Sequence, residues 1–401
     1  MIQITDNDKA LTIPPLFRLA FRPMFLGAAL FAIVTITLWG LALSGLISFA
    51  PYGDLYWWHS HEMIFGFALA VIIGFLLTAI QNWTNVPGVS GWPLAVLFFT
   101  WLIARITLAI DFTPNYFIAL IDITPPLLAA FFIARSVFKV KQWRNLFFVP
   151  ILIVFAFTNL ASHIALIDSN QLLMKSLSPL MIILITLIMC IIGGRVIPFF
   201  TARGTQTEKV ATNNWVEFFS VGPLIIFITV HLLFLFIESI RTDQSHWLLV
   251  VSGIANLIRI LRWRPLLTIP VPLLWSLHIA YLFITSGLLG YGLASMFTPQ
   301  HAMSLLHLLT IGAMAGLIVA MMSRVSLGHT GRPLLVHKLM PFAFVSIFIA
   351  ALVRGLLPIV TPYFTLISYQ ISALLWVICF LIFSIIYWPI LTKARVDGRA
   401  G

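Results

Sequence analysis

The sequence predicts an all-α fold, a polytopic membrane protein of twelve transmembrane helices, and three observations carry that prediction. Of the 401 residues, 61% are hydrophobic and 9% charged, whereas about a quarter of a soluble domain is charged. The apolar residues fall in runs of about 20, the length that crosses roughly 30 Å of hydrocarbon as a helix. When those runs are threaded back and forth, the basic residues sort to one side, as the cytoplasmic bias of Lys and Arg requires.

In chain order the runs are 24–47, 59–80, 92–111, 115–137, 146–167, 175–197, 218–238, 246–262, 272–296, 303–324, 338–358 and 366–391. The eighth is the least apolar at its end, where Asn256, Arg259 and Arg262 lie. A cytoplasmic N-terminus assigns nineteen basic residues to the inner side: Lys9, Arg18, Arg22, Arg135, Lys139, Lys141, Arg144, Arg195, Arg203, Lys209, Arg259, Arg262, Arg264, Arg324, Arg332, Lys338, Lys393, Arg395 and Arg399. Only Arg105, Lys175, Arg241 and Arg354 fall on the outer side. A miscounted helix would scramble that asymmetry, so an even number of crossings with both termini cytoplasmic follows. The bacterial inner membrane is the location this pattern fits.

The net charge of +11 then belongs to the cytoplasmic face, where anionic membrane lipid meets it; nucleic acid is not an expected partner. Loops are short, so residues 1–401 read as a single integral membrane domain: a cytoplasmic or interfacial segment 1–23, a bundle over 24–391 and a cytoplasmic tail 392–401. The first run is too long for a cleavable signal and lacks a small-residue cleavage site, so it is expected to stay as a helix. Cys190 and Cys379 lie singly in different runs, with no CxxC or CxxCH. That spacing argues against iron–sulfur clusters and covalent haem and leaves them as packing residues.

The chemistry concentrates in Trp57-Trp58-His59-Ser60-His61-Glu62-Met63, which sets two imidazoles and a carboxylate at the mouth of the second run. Ionisable groups are costly in a bilayer and persist where they face a partner, a cavity or a metal. His61 is followed at +5, +9 and +13 by Gly66, Ala70 and Gly74, and His307 at the same offsets by Gly312, Gly316 and Ala320. Such a stripe admits close approach of a helix or a flat macrocycle. Both runs enter from the periplasm, so the two rings sit at similar depth, placed to ligate one metal or haem. His59 lies about 200° around a helix from His61, so the two cannot point into one site unless the helix begins after His59; otherwise one is placed for haem and the other for a neighbouring metal or propionate.

Depth sorts the other imidazoles into an outer cluster of His59, His61, His163 and His307, with His301 nearby, and an inner pair, His278 and His329. His231, His246 and His337 read as packing or boundary residues. Glu62 is a candidate to orient an imidazole or relay protons, and equally to lie in the headgroup region beside Trp58. Arg105 and Arg354, in the outer thirds of their helices, are the cations available to haem propionates. Near the inner side, Gly193-Gly194-Arg195-Val196-Ile197-Pro198 and Ser326-Leu327-Gly328-His329-Thr330-Gly331-Arg332 join flexible backbone to Arg195 and Arg332, a pattern that fits an anion cradle as well as a basic turn.

Together these residues resemble the NnrS family of bacterial membrane proteins. The matching pieces are Phe21-Arg22-Pro23, Trp58-His59-Ser60-His61-Glu62-Met63 with Gly66-Phe67, Asn82-Trp83-Thr84, Asn159 with His163, Gly194 through Thr201, Leu277-His278 with Tyr281, His307 with Gly312, and Arg324 through Arg332. The resemblance implies twelve helices, haem and copper, and a role in nitric oxide metabolism and protection from nitrosative stress. A weaker similarity links the chain to the catalytic subunits of haem–copper oxidases and nitric oxide reductases. There twelve helices form three arcs of four, and helices two and ten supply haem ligands. The chain departs from that pattern, with no histidine in its sixth run and only His231 in its seventh.

The reading that results is a membrane protein holding haem b and copper. His61 and His307 are the haem-ligand candidates, with His59, His61, His163, His278, His307 and His329 as metal-ligand candidates. It would bind nitric oxide or pass electrons from a quinol or redox-protein donor, with turnover left open and an NO-related oxidoreductase the enzyme it would be. The rival is a twelve-helix transporter of copper, haem or a small anion.

Overall fold

The structure, a computed structural model, describes residues 11–237 and 242–399; Lys9 and Arg241 of the charge pattern lie outside the described residues. A helix covers every apolar run: α1 (Phe21–Leu43), α2 (Leu55–Thr84), α3 (Trp92–Leu108), α4 (Tyr116–Val140), α5 (Phe148–Ile167), α6 (Gln171–Thr205), α7 (Asn214–Phe234), α8 (Trp247–Arg262), α9 (Pro272–Phe297), α10 (Pro299–His329), α11 (Met340–Val360) and α12 (Thr365–Thr392). There is no strand among the described residues. Among the described residues, ten helices are long and apolar enough to cross a membrane, as in a multi-pass membrane protein. The other two are α3, 17 residues, and α8, 16 residues and closed by Arg259 and Arg262.

Local chemistry sets the helix starts. The Asp54 carboxylate accepts from the Tyr56 and Trp57 amides and fixes where α2 begins, one turn before the histidines. Such a cap stabilises a helix by about 1 kcal/mol. Asn115 caps α4 through the Ile118 amide, and Asn213 caps α7 through Trp215 and Val216. Pro125 and Pro126 interrupt α4. Because Pro126 has no N–H, it leaves the Asp122 carbonyl four residues back without its helical partner, and the Asn159 amide of α5 donates to that oxygen at 3.5 Å.

The chain forms two compact units. The first comprises residues 1–178, 322–335 and 380–401, the second 179–321 and 336–379. Within the first, α2 packs on α1, and α4 on α3, α5 and α2; within the second, α8 packs on α7 and α9, and α10 on α9 and α11.

The small-residue stripes are filled by neighbouring helices. In the first unit a Cβ on Gly66 would sit 2.6 Å from Phe31 of α1 and 2.9 Å from Arg105 of α3, and one on Gly74 would sit 2.8 Å from Met24. In the second, Gly312 faces Phe283 of α9, and Gly316 faces Ala280 of α9 and Phe348 of α11. Each stripe thus admits the helix preceding it in the chain. The parallel extends to the backbone: residues 62–68, directly after His61, and 308–315, directly after His307, wind as π-helix. Wide turns of this kind are rare and concentrate at functional sites.

Candidate metal centre

The early start of α2 and its π-helical turn bring His61 and Glu62, adjacent in sequence, onto one buried cluster. His61 Nδ1 lies 3.2 Å from Glu62 Oε1. Its Nε2 lies 3.1 Å from Asn159 Oδ1 and 3.2 Å from Asp122 Oδ2. The same Asp122 Oδ2 is 3.2 Å from His163 Nε2, so one carboxylate oxygen sits between two imidazole nitrogens. Arg105 closes the group, its two terminal nitrogens pairing with Glu62 Oε1 and Asp122 Oδ1. All five ionisable side chains are 3% exposed or less, inside a protein where water is not at hand to solvate them.

Neighbouring groups hold the rings. Trp57 stacks on His61 at 4.4 Å between centroids and is fixed by its indole N–H donating to Ser162 Oγ. Tyr52, fully buried in the loop before α2, accepts from the Asn115 amide and places its hydroxyl 3.3 Å from His163 Nδ1. Burial pushes the Tyr52 phenol above its ordinary pKa, so it stays protonated. That hydroxyl either donates to Nδ1 or, rotated, accepts from it, and so accommodates both tautomers of His163.

The protons expose a deficit at His61. Both of its nitrogens face acceptors only: a carboxylate on one side, a carboxylate and an amide oxygen on the other. A neutral ring has one N–H and satisfies one side. Charge gives the same result, since two carboxylates and one guanidinium leave −1 when both imidazoles are neutral, and a buried unbalanced charge is expensive. A second proton on His61 resolves both problems, and so does a bound cation. His61, Asp122 and His163 present ligand atoms all within 4.8 Å of one another. The 3.2 Å nitrogen–oxygen separations match those around a tetrahedral ion with bonds of ~2.0–2.1 Å, whose ligands stand roughly 3.3 Å apart. Nδ1–H of His61 would then donate to Glu62 and Nδ1–H of His163 to Tyr52, the outer support that metal-bound imidazoles usually have.

These residues fit a single ion such as copper, for which imidazole is a suitable ligand. They do not fit haem iron, because His61 is covered by Trp57 and its Nε2 is directed at Asp122 and Asn159.

The remaining candidates lie elsewhere. His59 points off the other side of α2 and stacks on Trp39 of α1 at 4.3 Å, as the 200° separation requires. Trp58 is buried against Phe49. His307 belongs to the second unit, with Nδ1–H donating to the Met303 carbonyl at 2.7 Å. His278, also in the second unit, donates from Nδ1 to Leu274 O and places Nε2 3.5 Å from Thr201 Oγ1, while His329 lies in the first unit beside Phe21. Arg354 rests over the Tyr369 ring at 3.8 Å, whereas Arg105 is committed to Glu62 and Asp122 rather than held open for a propionate. Arg195 is exposed and Arg332 half-buried.

The glycine pair before Arg195 proves to be a groove for another arginine. Gly193 lies against Tyr281, and Gly194 against the Arg259 guanidinium. Arg259 pairs with Glu217 and donates to Cys190 O at 2.8 Å and Tyr281 Oη at 2.7 Å; Tyr281 in turn donates to Asn256. Arg259, Tyr281 and Asn256 form a buried polar cluster in the second unit, with Glu217 part-exposed at its edge. Asp122, the shared carboxylate of the first, carried a readable signal, an acid in mid-run of an apolar helix; Tyr52, being neutral, did not, and Asn159 stood out only beside His163 in the family resemblance.

Residues 15–395 match the family model described as NnrS protein. No curated protein matches the chain.

Proposed function

Since the chain belongs to the NnrS family, the nitric oxide context of that family is the premise from which we propose a function: a copper-containing membrane protein of nitric oxide metabolism, with His61, His163 and Asp122 holding the metal. The observation that supports it most is the single Asp122 oxygen placed 3.2 Å from both Nε2 atoms. Copper supplies ligand binding to nitric oxide and one-electron chemistry when bound. The protein's own residues fix the rings through Glu62 and Tyr52, balance charge through Arg105, and exclude water by burial of the whole group. Asn159 Oδ1, 3.1 Å from His61 Nε2, would be a further neutral ligand atom.

The twelve helices are proposed to be twelve crossings with both termini in the cytoplasm of a bacterial cell, α3 and α8 being short spans. Like packing of α2 on α1 and of α10 on α9 supports their grouping in three sets of four. The b-type haem expected of the family is proposed to lie against His307, whose ring is oriented by Nδ1–H donating to a backbone carbonyl. No observation favours the transporter.

The test is metal and haem analysis of purified protein, followed by nitric oxide titration of its absorption spectrum. Asp122→Asn and His163→Ala are expected to lose copper and keep haem; His307→Ala is expected to lose haem and keep copper. Full copper in both of the first two variants would refute the metal assignment.

A further inference from the structure

A second concentration of charge lies in the first unit, away from the metal centre, where the start of α1, the end of α10 and the chain after α12 meet. Arg22 is fully buried and donates to the Leu391 and Lys393 carbonyls at 2.9 and 2.8 Å, capping the end of α12. Arg395 donates to the His329 carbonyl at 2.9 Å and pairs with Asp397, and the Val396 amide reaches Thr330 O. Arg18 is 9% exposed and donates to Ile13 O and Leu11 O. Arg332 follows Gly331, whose positive φ of 75° turns the chain out of α10 against Asp397. Arg18 lies four residues before Arg22, Arg22 holds the chain that carries Arg395, and Arg395 with Asp397 meets the turn that carries Arg332, so one end of the first unit gathers all four guanidiniums.

Among the described residues, four guanidiniums against the carboxylate of Asp397 leave +3. Arg395 already holds that carboxyl well below its usual range by hydrogen bonding, so the acid stays ionised and has nothing further to give. The donors are not exhausted either. Arg18 Nη1 and Arg332 Nη1 are both buried and have no hydrogen-bond partner among the described residues. Buried guanidinium N–H groups are costly to leave unmade, and the guanidinium fork matches tetrahedral oxyanions in geometry and charge.

We infer that this cluster is a phosphate-binding site, with Arg18 and Arg332 the ligating residues and Arg22 and Arg395 the cations that hold the backbone of the site together. The phosphate comes either from the headgroup of an anionic phospholipid or from solution. The chemistry is the same, and the sources are separable by experiment. The site joins the three segments of the first unit, so its occupation fastens the start of α1 and the chain after α12 to the end of α10.

The experiment is a titration of the purified full chain in neutral detergent with phosphatidylglycerol, phosphatidylcholine or inorganic phosphate, at constant ionic strength set by chloride. Affinity is read from the shift in unfolding temperature. Phosphatidylglycerol is expected to raise that temperature saturably and phosphatidylcholine to do less. A matching response to inorganic phosphate identifies the soluble source, and none identifies the headgroup. Arg332→Gln and Arg18→Gln should each weaken binding roughly tenfold, the loss of a charge-assisted hydrogen bond; Arg332→Gln should do so with little change in the unliganded unfolding temperature, whereas Arg18→Gln also gives up its bonds to Ile13 O and Leu11 O and lowers it. Arg144→Gln, outside the cluster, should bind as the parent does. Equal binding by Arg332→Gln, Arg18→Gln and Arg144→Gln, or no saturable response to either phosphate source, overturns the site.

Discussion

Asp122 shows how much one side chain can organise. Its Oδ2 lies between two imidazoles, its Oδ1 faces Arg105, and its backbone carbonyl, released by Pro126, takes the Asn159 amide. The histidines were legible in the sequence because an imidazole in an apolar run stands out, and His61 with Glu62 stood out most. That Asp122 is their common partner was not legible, because the contact depends on how α2, α4 and α5 are packed. The same limit applies to His61 and His307: offsets matched their following residues but carried no information on what each ring faces. At this scale Tyr52→Phe is expected to leave the fold intact and to lower metal affinity about 10–100-fold, since His163 Nδ1 loses its partner. Chelator competition on the purified variant measures that change.

At the scale of the element, α2 combines three devices: a carboxylate cap that starts it early, a π-helical turn that brings His61 and Glu62 onto one cluster, and a glycine stripe that lets α1 and α3 close on it. The helix itself was readable from hydropathy and the stripe from its four-residue spacing. The π-turn was not, because nothing in composition separates a wide turn from an ordinary one. The stripe left open whether a helix or a macrocycle lay against it, and side chains of α1 and α3 fill it at Gly66 and Gly74. Gly66→Leu should therefore wedge Phe31 and Arg105 apart and lower stability by about 1–3 kcal/mol. It should weaken metal binding as well, because Arg105 is held by Glu62 and Asp122. Thermal unfolding with and without copper separates the two effects.

The whole molecule is where sequence and structure agree on class and part on detail. Helices stand over all twelve apolar runs because 20-residue hydropathy is a strong signal, while α3 and α8 are short because ends rich in Thr, Asn and Arg blur a boundary. The division into two compact units has no signature in composition. The sidedness proposed from the charge pattern is checked by cysteine labelling in whole cells. Lys209→Cys, exposed between α6 and α7, is expected to be shielded from an impermeant maleimide; Thr113→Cys, exposed between α3 and α4, is expected to react. Cys190 and Cys379 are fully buried and should stay silent. Reaction at position 209 and not at 113 would invert the topology.

X-ray absorption at the copper edge of the purified protein tests the metal centre most directly. Two histidines and a carboxylate around one ion predict a first shell of nitrogen and oxygen without sulfur, outer-shell scattering from two imidazoles, and loss of bound copper in Asp122→Asn. A spectrum showing thiolate or thioether sulfur, or a two-imidazole signal that persists unchanged in Asp122→Asn, would contradict it.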